Sequence, residues 1–388
     1  MKAAGAAGAA TAARAAAGDA CDPKFLRWCR AHGLEAPGVA PAFVADGWRG
    51  VVAAAPLAPG DVLVLAVHLL HEASKGPASF WALYIRQLPR GYSTLACFHP
   101  AAAAALQLPH AAAAAAVAVE KEQAAWRGAF PLLQDLGVAK KWSCWGAWQW
   151  AASTVLSRTI SSGDEGAGKG GSGTREEEPQ GCGDGAFDTE ANAYKLYARR
   201  RYEPGEQVFL CYGCHTNLEL LETYGFTLPP GAGAGDNPHD TAPLPPELLR
   251  AAWRGAPPPP EGDCWLHWDG RPGWRLLRAL REAAAAPGEL RARGRRALEG
   301  RAISAEGDAR AAAWLRVACA AQLAALPTAA AHDAAELAAL EAEGAAGGGA
   351  AGGSAAGGAA ECMRLAVAWR LGYKRILERG SRLGLPGV

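Results

Sequence analysis

Residues 211–226 read CYGCHTNLELLETYGF and hold two pairs of side chains able to do chemistry. Cys211 and Cys214 form a Cys-x-x-Cys pair, the spacing of a thiol redox couple or of half a zinc site. Tyr212 and Tyr224 are phenols bracketing a short helical pattern. The cysteines lack what either role needs. A structural zinc takes four ligands, usually with a second Cys or His pair at similar spacing. His215 abuts the pair and cannot easily join the same tetrahedron, and Cys182 is the only other cysteine nearby. A thioredoxin-type couple opens a helix inside a βαβ unit, whereas Cys211 ends a strand-like run and Cys214 lies in the turn after it. Two incidental cysteines are the simpler reading, with zinc or redox chemistry as the weaker one.

The tyrosines are better placed. Val208-Phe209-Leu210 reads as a strand that delivers Tyr212 at its end. Thr216 and Glu219 have the spacing of a capping box for a helix running to about Thr223. Gly225 suits a left-handed helix end, which sets Tyr224 at the last turn. Two phenols at the rims of adjoining elements can line one narrow pocket. They can equally be amphipathic rim residues with satisfied hydroxyls, and the residues alone leave that choice open.

Other motifs carry less. Gly163-Asp-Glu-Gly-Ala-Gly168-Lys169 matches the first part of a phosphate-binding loop, but Gly170 stands where Ser or Thr must meet magnesium, and no strand and helix flank it. The nine histidines form no HExxH and no pair at metal spacing. With 39 basic and 38 acidic residues the formal charge is +1, which argues against a protein that lives on nucleic-acid backbones or acidic membranes. No long, strongly apolar run marks a membrane span, so a soluble protein is expected. Ten scattered cysteines fit a reducing compartment better than a disulfide framework.

The elements that must position these residues follow from periodicity. Residues 1–20 are a disordered Ala/Gly tail or a short transit peptide; the chloroplast and the cytosol or nucleus are both consistent addresses. Asp22-Pro23 opens a helix with Phe25, Leu26 and Cys29 on one side. GWRGVVAAAPLAPGDVLVLAV (47–67) reads as two strands around a turn at 58–61. Residues 80–150 turn helical and rich in Ala and Trp. The stretch 161–185 is a low-complexity loop, after which ANAYKLYARR and EQVFLCYG read as strands. Residues 230–262 are Pro- and Gly-rich and read as a linker. Beyond it, Leu315, Cys319, Leu323 and Leu326 fall at helical spacing, as do Leu365, Trp369, Gly372 and Ile376 with Arg370, Lys374 and Arg375 on the polar side. A Gly-Ala spacer (344–360) separates these two helices. A mixed first domain dominated by short strands precedes an all-helical second one.

GEQVFLCYG…TNLELLETYGF (205–226) resembles the C-terminal signature of SET-domain protein-lysine methyltransferases, in the branch of the Rubisco large-subunit methyltransferase. Further segments agree in order. GWRGVVAAAPLAPGDVLVLAV is similar to that family's first strands, SFWALYIRQLP (79–89) to its helical insert, and WQWAASTVLSR (148–158) to the helix before its active site. DNPHDTAPL (236–244) resembles the post-SET turn. AISAEGDARAAAWLRVACAAQL (302–323) and RLAVAWRLGYKRIL (364–377) are similar to the helical substrate-binding domain of this branch.

The resemblance implies an α+β fold: a SET domain over 21–229 with a helical insert at about 80–147, then an all-α substrate-binding domain over 263–388. It implies transfer of a methyl group from S-adenosylmethionine to a lysine ε-amine of a protein substrate, with no metal, no nucleic acid, no membrane and a monomeric enzyme. Tyr212 would be the catalytic tyrosine of the lysine channel and Tyr224 its second wall. Gly47, Trp48 and Arg49 would give backbone contacts to the cofactor, Arg158 would touch cofactor and substrate, and Phe226 would pack on the adenine. The chain departs from the family at one place. The family carries Asp-Leu-x-Asn-His between the Arg158 helix and the next strand, where it binds cofactor. Here residues 161–185 contain no Asn. That loss implies the alternative of a catalytically impaired SET scaffold acting as an interaction protein.

Overall fold

The computed structural model describes residues 61–158, 184–188, 193–197, 201, 203, 212–229, 237–252, 263–346, 355–383 and 385. The expected helix after Asp22, the strand at 47–60, the strand EQVFL and the phosphate-loop-like segment lie outside those residues. The chain divides into two compact units. One comprises residues 1–92, 119–213 and 347–358; the other comprises 93–118, 214–346 and 359–388.

The first unit contains α1 (Asp61–Ser74), α2 (Ala82–Ile85), the later part of α4 (Pro109–Asp135), α5 (Lys140–Ser143) and α6 (Trp145–Leu156). Its described residues also include the antiparallel pair β1 (Asp184–Asp188) and β2 (Ala193–Tyr197), with Asp184 opposite Tyr197 and Asp188 opposite Ala193. α1 corrects the sequence reading, which expects a strand through residue 67. DVLVLAV is a continuous apolar run, and such runs suit a buried strand or a helix equally. The residues that follow decide it: Ala66, Leu70 and Ala73 repeat at helical spacing and are all buried. α1 packs on α6, where Trp148, Ala151, Ala152 and Val155 close the same core. Three of the unit's tryptophans place their indole N–H groups on internal acceptors. Trp148 Nε1 donates to Glu122 at 3.0 Å, Trp126 Nε1 to the Ser143 carbonyl at 3.0 Å, and Trp150 Nε1 to the Pro89 carbonyl at 2.8 Å.

The second unit is built from α3 (Pro100–Ala105), the start of α4, α7 (Asn217–Thr223), α8 (Pro246–Ala252), α9 (Trp274–Ala284), α10 (Pro287–Arg293), α11 (Arg295–Leu298), α12 (Ala305–Ala325), α13 (Ala330–Ala346) and α14 (Ala355–Gly380). Its two-stranded sheet pairs β3 (Thr241–Pro243) with β4 (Trp265–His267). Within the stretch read as a linker, residues 237–252 thus form a turn, β3 and α8. α12 packs on α8 and α9 and buries Leu315 and Cys319, while α14 buries Leu365, Trp369 and Ile376, as their spacing requires.

The polar side expected of α14 is corrected. Arg370 and Lys374 are buried, because α13 lays Asp333 and Glu336 against them. All three donors of the Lys374 ammonium are used: on Asp333, on Gln107 Oε1 at 2.9 Å and on Thr328 Oγ1 at 2.8 Å. Arg370 reaches Asp333 at 3.0 Å and the Ala105 carbonyl at 2.8 Å. Gln107 holds a left-handed backbone (φ 63°) to take part, a conformation that costs a non-glycine residue strain. Burial disfavours the charged carboxyl of Asp333, but its hydrogen bonds from Lys374, Thr328 and Arg370 win and hold it below the usual carboxylate range.

Candidate functional site

The capped helix forms as its sequence dictates. Thr216 Oγ1 accepts from the Glu219 amide at 3.3 Å, and the Glu219 carboxylate accepts from the Thr216 amide at 2.7 Å. α7 then runs Asn217–Thr223, with Tyr224 at its C-cap. Gly225 follows at φ +75°. There the chain turns against residues 93–94, and Ser93 Oγ donates to the Gly225 carbonyl at 2.9 Å. A Cβ at Gly225 would stand 2.9 Å from the backbone of both Ser93 and Thr94. Gly225→Ala therefore combines left-handed strain with a backbone clash. We expect a loss of about 1–3 kcal/mol in urea unfolding; an unchanged midpoint would remove Gly225 as the stop of this helix.

The same turn sets the ring of Tyr224 between two others. Its centroid lies 6.1 Å from that of His215 and 6.2 Å from that of Phe226. Asn217 fixes the helix start to two later segments. Its amide N donates to Asp240 Oδ1 at 3.0 Å and its Nδ2 to Asp240 Oδ2 at 2.9 Å, while its Oδ1 accepts from the Leu228 amide at 3.0 Å. Asn237 Nδ2 donates to the His215 carbonyl at 2.8 Å. Residues 237–240 thereby hold the aromatic group His215–Tyr224–Phe226 through backbone and carboxylate contacts. Sequence reasoning missed His215 and Asn217 as site residues. The DNPHD turn was the signal for the second, since a buried amide needs such partners.

In the first unit, Arg158 follows α6. Its guanidinium carbon lies 5.3 Å from the Tyr92 ring centroid, within cation–π range. Its Nη1 donates to Ser157 Oγ at 2.7 Å. Thr154 Oγ1 lies 3.0 Å from the Tyr92 hydroxyl and donates to the Trp150 carbonyl at 2.7 Å. Burial raises the Tyr92 phenol to about 12, against the opposing pull of Arg158, and raises Tyr84 in the same way. Neither tyrosine was singled out from the sequence, because LPRGYSTL carries no periodic signal.

The unfolded phenol titrates near 10, so between pH 10 and 12 the unfolded chain gives up a proton that the folded chain keeps. Tyr92 thus supports the fold fully below about pH 10 and loses that contribution as pH rises toward 12. The absorbance difference between the unaltered chain and Tyr92→Phe should show one phenol titrating near 12. A midpoint near 10 would contradict the burial.

Tyr212 is 48% exposed, in coil before Gly213. Tyr212 and Arg158 belong to the first unit, Tyr224 and Phe226 to the second. The structure thus brings Tyr224 and Phe226 together and surrounds Arg158 with Tyr92, Thr154 and Ser157. Gly47, Trp48, Arg49 and Cys211 lie outside the described residues; Cys214 is exposed. Among the described residues no group of three or more His, Cys, Asp or Glu side chains is placed to hold a metal ion, and no helix is long and apolar enough to cross a membrane.

No family model matches the chain. It is 33% identical over 306 residues to Protein SET DOMAIN GROUP 40 of Arabidopsis thaliana, covering 70% of this chain and 60% of that protein. It is 27% identical over 268 residues to SET domain-containing protein 4 of Mus musculus, covering 58% of this chain and 56% of that one. The chain therefore spans less than two thirds of the length of the curated relatives it matches. Its fold is similar to that of Rubisco LSMT bound to sinefungin and monomethyllysine, with a TM-score of 0.51 at 16% identity over 92% of this chain and 90% of that one. The SET domain of LSMT bound to lysine and AdoHcy matches with a TM-score of 0.50 at 15% identity over the same shares.

Proposed function

This chain carries the SET-type fold of Rubisco LSMT and is related in sequence to SET-domain proteins, and from that premise we propose that it transfers a methyl group from S-adenosylmethionine to a lysine ε-amine of a protein. The observation that carries the reading is the capped helix α7, whose ends set Tyr224 beside Phe226 with Tyr212 just before it in sequence. When bound, S-adenosylmethionine supplies an electrophilic methyl group.

The residues present fit that cofactor in part. Phe226, half-buried at 6.2 Å from the Tyr224 ring, offers an aromatic face for an adenine. Arg158, aimed by Tyr92 and Ser157, offers a cation for a carboxylate. Gly47, Trp48 and Arg49, outside the described residues, would complete the proposed set through backbone groups. Tyr212 and Tyr224 would wall the lysine channel. An ε-amine reacts only when neutral, and its reference pKa is about 10.4; a narrow wall of phenols strips water from it and favours the neutral form. Residues 263–388 would dock the protein substrate, with the chain acting as a monomer.

One observation favours a second reading. The stretch between Arg158 and β2 has no Asp-Leu-x-Asn-His, and two missing cofactor contacts would cost about 1–3 kcal/mol each. The chain would then be a SET scaffold that binds proteins without methylating them. The two readings part in one assay. Incubation of the full chain with tritiated S-adenosylmethionine and lysine-rich proteins, followed by amino-acid analysis, should yield ε-N-methyllysine. Label absent from lysine would sink the enzymatic reading.

A further inference from the structure

Residues 286–301 carry five arginines and two glutamates, against a net charge of +1 for the whole chain. They form α10 and α11, joined through Gly294 in helical geometry (φ −57°, ψ −29°), so the backbone turns nearly as one helix. α10 buries no residue, and in α11 only Ala297 reaches the core. An isolated helix this short is marginal in water, yet this one is fastened at both ends. At its start the Glu289 carboxylate accepts from the Ala286 amide at 3.0 Å and also bonds Ser304, the N-cap of α12. At its end Arg281 Nη1 donates to the Gly300 carbonyl at 2.6 Å, while the same guanidinium holds buried Asp308. The fold thus presents an arm it does not need for its core.

That arm is chemically unfinished. Arg275, Arg278, Arg281 and Arg301 each have a carboxylate within ion-pair distance. Among the described residues Arg291, Arg293 and Arg295 have none, and all three are exposed. Arg293 lies within electrostatic reach of the Glu289 carboxylate without an ion-pair contact to it. The buried Nε of Arg296 has no hydrogen-bond partner. Arg291, Arg295 and Leu298 fall at i, i+4 and i+7, so one face alternates cation and apolar surface. Leu298 is 47% exposed, and Leu290 on the neighbouring face is 39% exposed.

We propose that this arm is a docking surface for an acidic protein segment that also carries apolar side chains. Planar guanidiniums pair carboxylates in bidentate fashion, and the two leucines give such a segment apolar area to cover. A phosphate backbone would leave those leucines wet, and the arm has no aromatic ring on which bases could stack. The arm lies within residues 263–388, proposed above to dock the protein substrate, and because docking itself needs no chemistry the proposal holds whether the chain is an enzyme or a scaffold.

The test uses the full chain and a fluorescein-labelled helical peptide of Asp, Glu and regularly spaced Leu, read by anisotropy at low salt. The unaltered chain should bind it saturably, and the double variant Arg291→Glu, Arg295→Glu should bind at least about tenfold more weakly at an unchanged melting temperature. Leu298→Ser should weaken binding in a way that salt does not mimic. An oligothymidylate of equal charge should compete poorly. Absent binding, equal affinity in the charge-reversed variant, or an oligothymidylate that binds as tightly as the peptide would each overturn the proposal.

Discussion

Arg281→Ala should lower the unfolding free energy by about 3–5 kcal/mol, the cost of leaving one member of a buried ion pair behind. The Arg281 and Asp308 side chains are 0% and 1% exposed. Arg281 Nε lies 3.1 Å from both Asp308 oxygens, Nη2 lies 2.8 Å from Oδ2, and Nη1 holds the Gly300 carbonyl. Removing Asp308 should cost at least as much. A stranded Arg281 would be a buried cation beside the Gly300 carbonyl, whereas a stranded Asp308 still lies in the first turn of α12, where the helix dipole favours negative charge. Replacing both by apolar residues of similar size should recover most of the loss. Urea unfolding of the two single variants and the double completes the cycle. A loss below about 1 kcal/mol in either single variant would show that water reaches the pair.

The second large effect concerns chemistry and rests on the proposed function. Tyr212→Phe should slow methyl transfer by about 100-fold, the scale of a lost positioning contact at a reacting centre. Because Tyr212 is 48% exposed, the substitution should leave stability within about 0.5 kcal/mol. S-adenosylmethionine affinity should stay unchanged, which separates a channel wall from a cofactor contact. Equal rates for Tyr212→Phe and the unaltered chain would remove Tyr212 from the site, whatever the fate of Tyr224.

What the sequence made legible was local. The capping box at Thr216 and Glu219, the left-handed stop at Gly225 and the apolar stripe of Leu365, Trp369 and Ile376 are set by residues within a few positions of each other, and each is found as expected. Where the reading failed, distant partners decided. Lys374 and Arg370 looked like a solvent face because Asp333, some forty residues earlier, could not be seen to meet them. Residues 61–67 looked like a strand because their apolar run is silent on period until Leu70 and Ala73 are added.

The site shows the same division. The place of Tyr224 at the end of α7 was legible from the capping box and the stop at Gly225, while Phe226 came from the family likeness alone. Tyr92, which aims Arg158 from 66 positions away in the chain, was not. Nor was the clamp of Asn217 by Asp240 across 23 positions. Family likeness supplied the roles of Gly47, Trp48 and Arg49, which periodicity alone did not reach.

The central claim is that this SET scaffold serves methyl transfer, and cofactor binding tests it most directly. Isothermal titration of the full chain with S-adenosylmethionine should give saturable heat that Arg158→Ala weakens and Arg291→Glu leaves alone. No detectable heat with cofactor at about 1 mM, a threshold of about −4.1 kcal/mol, would contradict the enzymatic account and leave the scaffold reading standing.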